Sequence, residues 1–349
     1  MRVQSLRSRA ALVLLAAALL CSCNRSSTGK TAAGAARGEP DALKVGVLPF
    51  LSNSILEIGV REGFFADQGI AVELVKVASV NDIAPLLVQG VIDISTPGLT
   101  AGLFNSISNG AQIRLVLALT DFAVQDCASI AFVARRADVE SGKYADPARW
   151  KGARMALSTP GAPGVPSFVL SKVLASVGLT SADVKVMGID LAVQGEALRT
   201  GQLDIVYAIE PWITRMCAPG DIAVLMPVEP VAPEMTASVI VYGQKPLKNR
   251  DLGRRFAVAY LRAVRQYRLG KTDRNVEIAS EYTGLEPELV RRICWSSSPA
   301  DGRINADSVM AYQSWLAGLG ALDRIVAPKE FLDGEFADYA ARELAKAQR

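Results

Sequence analysis

Leu87-Val-Gln-Gly90-Val-Ile-Asp93-Ile94 returns later in the chain as Leu198-Arg-Thr-Gly201-Gln-Leu-Asp204-Ile205. Each copy reads as the end of a helix, a glycine in the left-handed C′ position, and a short buried strand. Each strand runs into a proline-marked loop, Thr96-Pro97-Gly98 and Glu210-Pro211-Trp212. A phrase used twice in this way predicts two α/β lobes of similar design. Ligands of open α/β sheets sit at the carboxyl ends of the strands. Two such edges facing each other predict a clamp.

Working outward from the first copy, Leu43 to Leu48 reads as a strand and Pro49 to Asn53 as a loop. Ser54 is placed to cap a helix to about Asp67, with Leu56, Val60 and Phe64 at helical spacing. Strands are expected at 71–77, 92–95 and 113–119. A helix capped by Asn81 and one opened by Thr100 lie between them. This alternation predicts a parallel sheet. Around the second copy, strands are expected at 129–133, 150–157, 184–189, 204–209 and 237–243. Pro166 suits the first turn of a helix running to about Val177. The stretch before 237 reads as a proline-rich crossing, and the chain from about Asn249 as helical, interrupted at Pro287, Pro299 and Pro328.

The N-terminus carries Arg2, Arg7 and Arg9, then the apolar run Ala10 to Leu20, then Leu20-Cys21-Ser22-Cys23. The run is too short for a membrane span of about 20 residues and has the form of an export signal. Asn24 to Pro40 has the composition of a flexible tether. Removing the three leader arginines leaves 35 of the 38 basic residues against 35 acidic ones. The net charge of +3 is therefore a targeting charge, and no basic tract interleaved with aromatics points to nucleic acid. The sequence contains no histidine, which excludes histidine bases, triads and histidine metal sites. Cys127, Cys217 and Cys294 allow one disulfide with one thiol left over, and spacing does not choose the pair.

Several motifs fall in order: Lys44-Val-Gly-Val, Gly63-Phe-Phe-Ala-Asp-Gln-Gly69-Ile, the first repeat, Trp150-Lys-Gly152, the second repeat, and Glu210-Pro211-Trp212. Across about residues 42–270 the chain resembles substrate-binding proteins of ABC importers. It is similar in particular to the group that binds nitrate, taurine, alkanesulfonates and thiamine-pyrimidine precursors. The resemblance implies an α/β fold, the two-lobed type II periplasmic binding protein with two hinge crossings. The leader would be 1–22 and the tether 23–41. Lobe one would comprise 42–125 and 238–349, and lobe two 126–237. The leader's end resembles a lipobox with Cys23 as the lipidated residue. The implied protein is a monomeric, lipid-anchored, periplasmic or cell-surface receptor. Its partners would be a small-molecule ligand and an importer permease, with no cofactor, no metal and no catalytic residue.

By the same resemblance, ligand contacts come from Phe50, Asn53 and Ser54, from Pro97 and Thr100, and from Asp121 in lobe one. Lobe two would add Thr159, Gly161, Gly164 and Ser167, then Asp190, then Glu210 and Trp212. Each has a plainer reading. Phe50 suits a buried loop anchor, Ser54 and Thr100 suit N-caps, and Thr159 to Pro166 suits a surface loop. Trp212 suits core filler, and the two acids suit ion pairs across the hinge. Asp121 and Glu210 at strand ends repel anions and accept from amines. With Trp212 they favour a neutral or cationic planar organic ligand. The alternatives are an oxyanion binder, an enzyme on this fold, or a sensor coupled to a membrane receptor.

Overall fold

The computed structural model describes residues 39–158 and 163–346, and these described residues form one compact unit. Among the described residues ten strands make two five-stranded sheets. The first holds β1 (Asp41–Val47), β2 (Ile70–Lys76), β3 (Ile94–Ser95), β4 (Arg114–Asp121) and β10 (Thr236–Tyr242). The second holds β5 (Ile130–Arg135), β6 (Arg154–Ala156), β7 (Lys185–Val186), β8 (Ile205–Ile209) and β9 (Ile222–Pro227).

The strand orders are β2-β1-β3-β10-β4 and β7-β6-β8-β5-β9. The repeated phrase leads into the third strand of each order, and Gly90 and Gly201 both take the left-handed conformation, at φ 70° and 71°. The sheets are mixed, which corrects the expectation of a parallel sheet. β10 runs antiparallel to β3 and β4, and β5 runs antiparallel to β8 and β9. The reason is topological. Each of these strands arrives through a crossing from the other sheet and is inserted among parallel neighbours. β9 lies within the stretch read as a proline-rich crossing. It is an edge strand, where Pro227 removes no ladder bond from a central position.

In the first lobe the helices are α1 (Ser54–Arg61), α2 (Phe64–Asp67), α3 (Ile83–Val88) and α4 (Ala101–Ser108). Gly63, at φ 72°, splits the expected single helix from Ser54 to Asp67 into α1 and α2. Ser79, not Asn81, caps the turn into α3 through its own side chain. The second lobe carries α5 (Arg136–Glu140), α6 (Val165–Ala175), α7 (Gln194–Arg199) and α8 (Trp212–Cys217). After β10 come α9 (Gln244–Lys248), α10 (Arg250–Tyr267), α11 (Asp273–Thr283), α12 (Pro287–Arg292), α13 (Ala306–Gly318), α14 (Pro328–Phe331) and α15 (Glu335–Lys346). Pro287 and Pro328 open helices instead of interrupting one, since a first-turn N–H has no intrahelical partner to lose.

α10 is the spine of the first lobe. Phe256, Tyr260 and Val264 on its apolar face are fully buried beside Val45, Leu117 and Ile240 of the sheet. In the second lobe Phe132 meets Trp150 and Tyr207 edge-on at 5.0 and 5.5 Å. The lobes also touch away from the crossings. Phe168 of α6 packs edge-on against Tyr312 and Trp315 of α13, and Thr100 pairs with Gly164 through an isolated antiparallel bridge.

Candidate functional site: the cleft between the sheets

The carboxyl ends of both sheets face a cavity of about 160 Å³. Phe50, Leu51, Ser52 and Asn53 line it from the loop after β1, Thr96 and Gly98 from the loop after β3, and Leu119, Thr120 and Ser238 from β4 and β10. Ser129, Ile130, Ile209 and Glu210 line it from the other sheet, and Cys294 and Ser296 from the segment after α12. No lysine or arginine is among the lining residues.

Asn53 is 1% exposed. Its Nδ2 donates to the Leu48 carbonyl at 2.8 Å, and Tyr282 Oη donates to the same carbonyl at 2.9 Å. Turning the amide over would set oxygen against oxygen, so the orientation is fixed. Oδ1 is left buried without a partner in the cavity wall. Glu210 stands opposite at the end of β8. Its carboxylate accepts from Thr214 N at 3.1 Å, Thr214 Oγ1 at 2.8 Å and Cys294 N at 3.2 Å. Burial pushes this carboxyl above its ordinary range, against those hydrogen bonds and the Lys271 charge. Glu210 therefore fastens α8 to its own strand and joins the second lobe to the chain after α12.

Phe50, Asn53 and Glu210 are brought together by the fold. Phe50 is 44% exposed at the rim. Pro97 and Thr100 lie across the loop from the cleft, in a neighbouring hollow between α3 and α4. Thr100 Oγ1 accepts from Leu103 N at 3.2 Å and caps α4. Ser54 is the first residue of α1 and fully buried, but its hydroxyl caps nothing. Asp121 ends β4 outside the cavity lining, with one buried carboxylate oxygen unpartnered. Gly164 and Ser167 sit half-buried at the start of α6. Asp190 is exposed. Trp212 leans on the second lobe's core with the Arg215 guanidinium 5.3 Å from its ring centre, and does not line the cavity. Thr159, Gly161 and Cys23 lie outside the described residues.

Sequence reasoning missed the hydroxyls of Ser52, Thr96, Thr120, Ser129, Ser238 and Ser296. Thr96 and Thr120 stand at the ends of expected strands, and that position was the signal available. It also missed Glu229, 3% exposed in the second crossing, whose Oε1 accepts from Ser129 N, Ser129 Oγ and Ile130 N. Among the described residues no group of acidic or cysteine side chains is arranged to hold a metal ion, and no helix is long and apolar enough to cross a membrane.

Residues 36–280 match the NMT1-like family. The chain belongs to that family. Its fold is the two-lobed α/β architecture of periplasmic binding proteins. The ligand-binding component of an ABC-type import system from Staphylococcus aureus is 15% identical with a TM-score of 0.68, over 86% of this chain and 99% of that one. The periplasmic aliphatic sulphonate binding protein of Escherichia coli is 14% identical with a TM-score of 0.66, over 84% and 97%. The desulfurization enzyme DszB is 16% identical with a TM-score of 0.61, over 87% and 99%. No curated protein matches the sequence. The resemblance read from the ordered motifs thus holds at the level of family and fold.

Proposed function

We propose that this NMT1-like chain is the extracytoplasmic solute-binding component of an ABC importer, holding a small organic molecule between its lobes. The observation that carries the reading is the cavity walled by strand ends of both sheets. In two-lobed proteins closure around a ligand is the usual response. Phe50, Asn53 and Glu210 are the residues assigned to the ligand. Asn53 Oδ1 is a buried acceptor in search of a donor, Glu210 is acidic, and the lining carries no cation. A neutral or cationic ligand bearing N–H groups suits these walls, since an unmet buried polar group costs about 1–3 kcal/mol. Planarity loses its support, because Trp212 stands away from the cavity.

The oxyanion reading has its own observation. The hydroxyls of Ser52, Thr96 and Ser296 line the cavity, and the Escherichia coli relative binds sulphonates. A thermal-shift screen separates the two, with primary amines, amidines and N-heterocycles in one arm and nitrate and alkanesulfonates in the other. A ligand at 100 times its Kd adds about 2.7 kcal/mol. The first arm is expected to give the hits, and scattering with a hit at saturation is expected to show a smaller radius of gyration. Hits confined to the second arm move the assignment to an oxyanion. Turnover of a hit by pure protein moves it to an enzyme.

Anchoring through a lipid on Cys23 belongs to the same proposal and rests on Leu20-Cys21-Ser22-Cys23. Cys23→Ala is expected to move the protein from the detergent-dependent to the soluble fraction. Unchanged fractionation would remove the anchor from the reading. A single acyl chain holds only marginally.

A further inference from the structure

Two stretches of chain join the sheets, 122–129 and 228–235, and each is fastened at both ends. At the first-sheet end Phe122 N donates to Met235 O at 3.0 Å and Glu234 N to Phe122 O at 3.2 Å. Asn305 Nδ2 donates to the Glu234 carbonyl at 3.1 Å. At the second-sheet end Glu229 gathers Ser129 and Ile130 onto its carboxylate, and Val228 N donates to Ile130 O at 3.0 Å. Between these points the first crossing is thinly held. Val124, Gln125, Asp126 and Cys127 are exposed, and one side-chain bond, Gln125 Nε2 to the Trp295 carbonyl at 3.3 Å, ties them down. The remaining tie is covalent. Cys127 is disulfide-bonded to Cys294, which sits between the buried anchors Ile293 and Trp295.

We propose that the Cys127–Cys294 disulfide sets the hinge of the lobes. Oxidised, it fixes the first crossing to the first lobe as far as Cys127 and leaves Ala128 as the pivot, opposite Pro230 to Pro233 in the second crossing. Reduced, it frees the span from Ala123 to Ala128. Its consequence for ligand capture rests on the proposed function, because Ser129 and Cys294 both line the cavity. Reduction by a dithiol breaks the S–S bond and places two electrons and two protons on the two sulfurs, and the dithiol leaves as its own disulfide. The clamp forms only in an oxidising compartment, so a tight hinge is confined to the exported chain. Cys217 is half-buried, its thiol pushed up by burial and by Glu210, and is a poor competitor for exchange.

The test is amide hydrogen exchange on the ligand-free full chain, before and after reduction by a dithiol and again after reoxidation. The bonded amides at the two ends of the crossings, Phe122, Ser129, Ile130, Val228 and Glu234, are expected to exchange at least about ten-fold faster when reduced, with β1 and β6 unchanged and with reversal on reoxidation. Cys127→Ser is expected to match the reduced chain. If that variant folds poorly, reversible reduction of the folded wild type still decides. Equal exchange in both redox states overturns the proposal. So does acceleration spread over β1 and β6, which makes the disulfide a general staple. The capture reading fails separately, if the crossing responds as expected and no screened solute binds.

Discussion

Asp93 and Asp204 hold the same pair of bonds in the two lobes. Asp93 N donates to Lys44 O at 2.8 Å while its carboxylate accepts from Lys44 N at 2.9 Å. Asp204 N donates to Arg154 O at 2.8 Å while its carboxylate accepts from Arg154 N at 2.9 Å. Each aspartate fastens the start of the third strand of its sheet to a parallel neighbour, Lys44 within β1 and Arg154 at the head of β6. The repeated phrase is therefore scaffold, and its duplication locates the ligand edge only indirectly.

Asp204 carries the larger share. It also pairs with the Arg154 guanidinium at 2.8 Å and with Arg135 at 3.4 Å. Asp204→Asn is expected to cost about 2–3 kcal/mol and Asp93→Asn about 1 kcal/mol. Chemical denaturation measures both. Equal losses would contradict the difference in partners.

The Asp204 carboxyl titrates at about 2 in place of its ordinary 3.8. Burial pushes it up, but the bonds from Arg154 and Arg135 outweigh burial. A depressed carboxylate contributes stability above its unfolded pKa and loses it as the pH falls through the folded one. The stability gap between wild type and Asp204→Asn is therefore expected to hold at pH 5 and close between about pH 4 and 2. A gap unchanged at pH 2 would place its origin elsewhere.

Glu210 has the opposite sign. Its folded carboxyl lies above the ordinary value, so its contribution is fullest below the unfolded pKa and lost as the pH rises through the folded one. Relative to Glu210→Gln, the wild type is expected to lose stability as the pH climbs out of the acid range. Denaturant midpoints across that range measure it. A flat difference would mean that the hydrogen bonds from Thr214 and Cys294 fully offset burial.

The hydroxyls of Ser54 and Thr100 look alike in sequence, each preceding an apolar helical pattern. Thr100 caps α4, and Ser54 is one residue too late to cap α1. Thr100→Ala is expected to cost about 1 kcal/mol. Ser54→Ala removes a buried, unpaired hydroxyl and is expected to be neutral or slightly stabilising. Thermal midpoints read both, and a loss at Ser54 equal to that at Thr100 would show that Ser54 has a partner.

These contrasts mark what the residues alone can tell. The repeat, the left-handed Gly90 and Gly201 and the strand ends were legible because they depend on local periodicity and backbone conformation. The antiparallel insertion of β5 and β10 was not, because it follows from chain crossings with no local signature. The pairing of Cys127 with Cys294 was hidden for the same reason. In the site, Asn53 and Glu210 follow from their places after β1 and β8. Trp212, three residues beyond the end of β8 and first in α8, is not among the cavity-lining residues and packs against the second lobe's core.

Phe50 and Trp212 allow that last point to be tested. Phe50 is an exposed aromatic at the cavity rim, with little packing to lose. Phe50→Ala is expected to leave the ligand-free thermal midpoint within about 0.5 kcal/mol of wild type. Binding of the best ligand from the screen is expected to weaken by about 1–2 kcal/mol, roughly 5–30-fold in Kd, through lost contact area. Trp212 is half-buried against the second lobe's core and carries Arg215 over its ring. Trp212→Ala is expected to lower stability by about 2–4 kcal/mol as a large side chain leaves a packed surface, with Kd within about two-fold of wild type wherever the protein remains folded. Calorimetric titration and thermal denaturation of the two variants give four numbers, and the expected pattern is crossed. If Trp212→Ala weakens binding while Phe50→Ala does not, α8 turns its first residue into the closed cleft and the aromatic wall belongs to the second lobe.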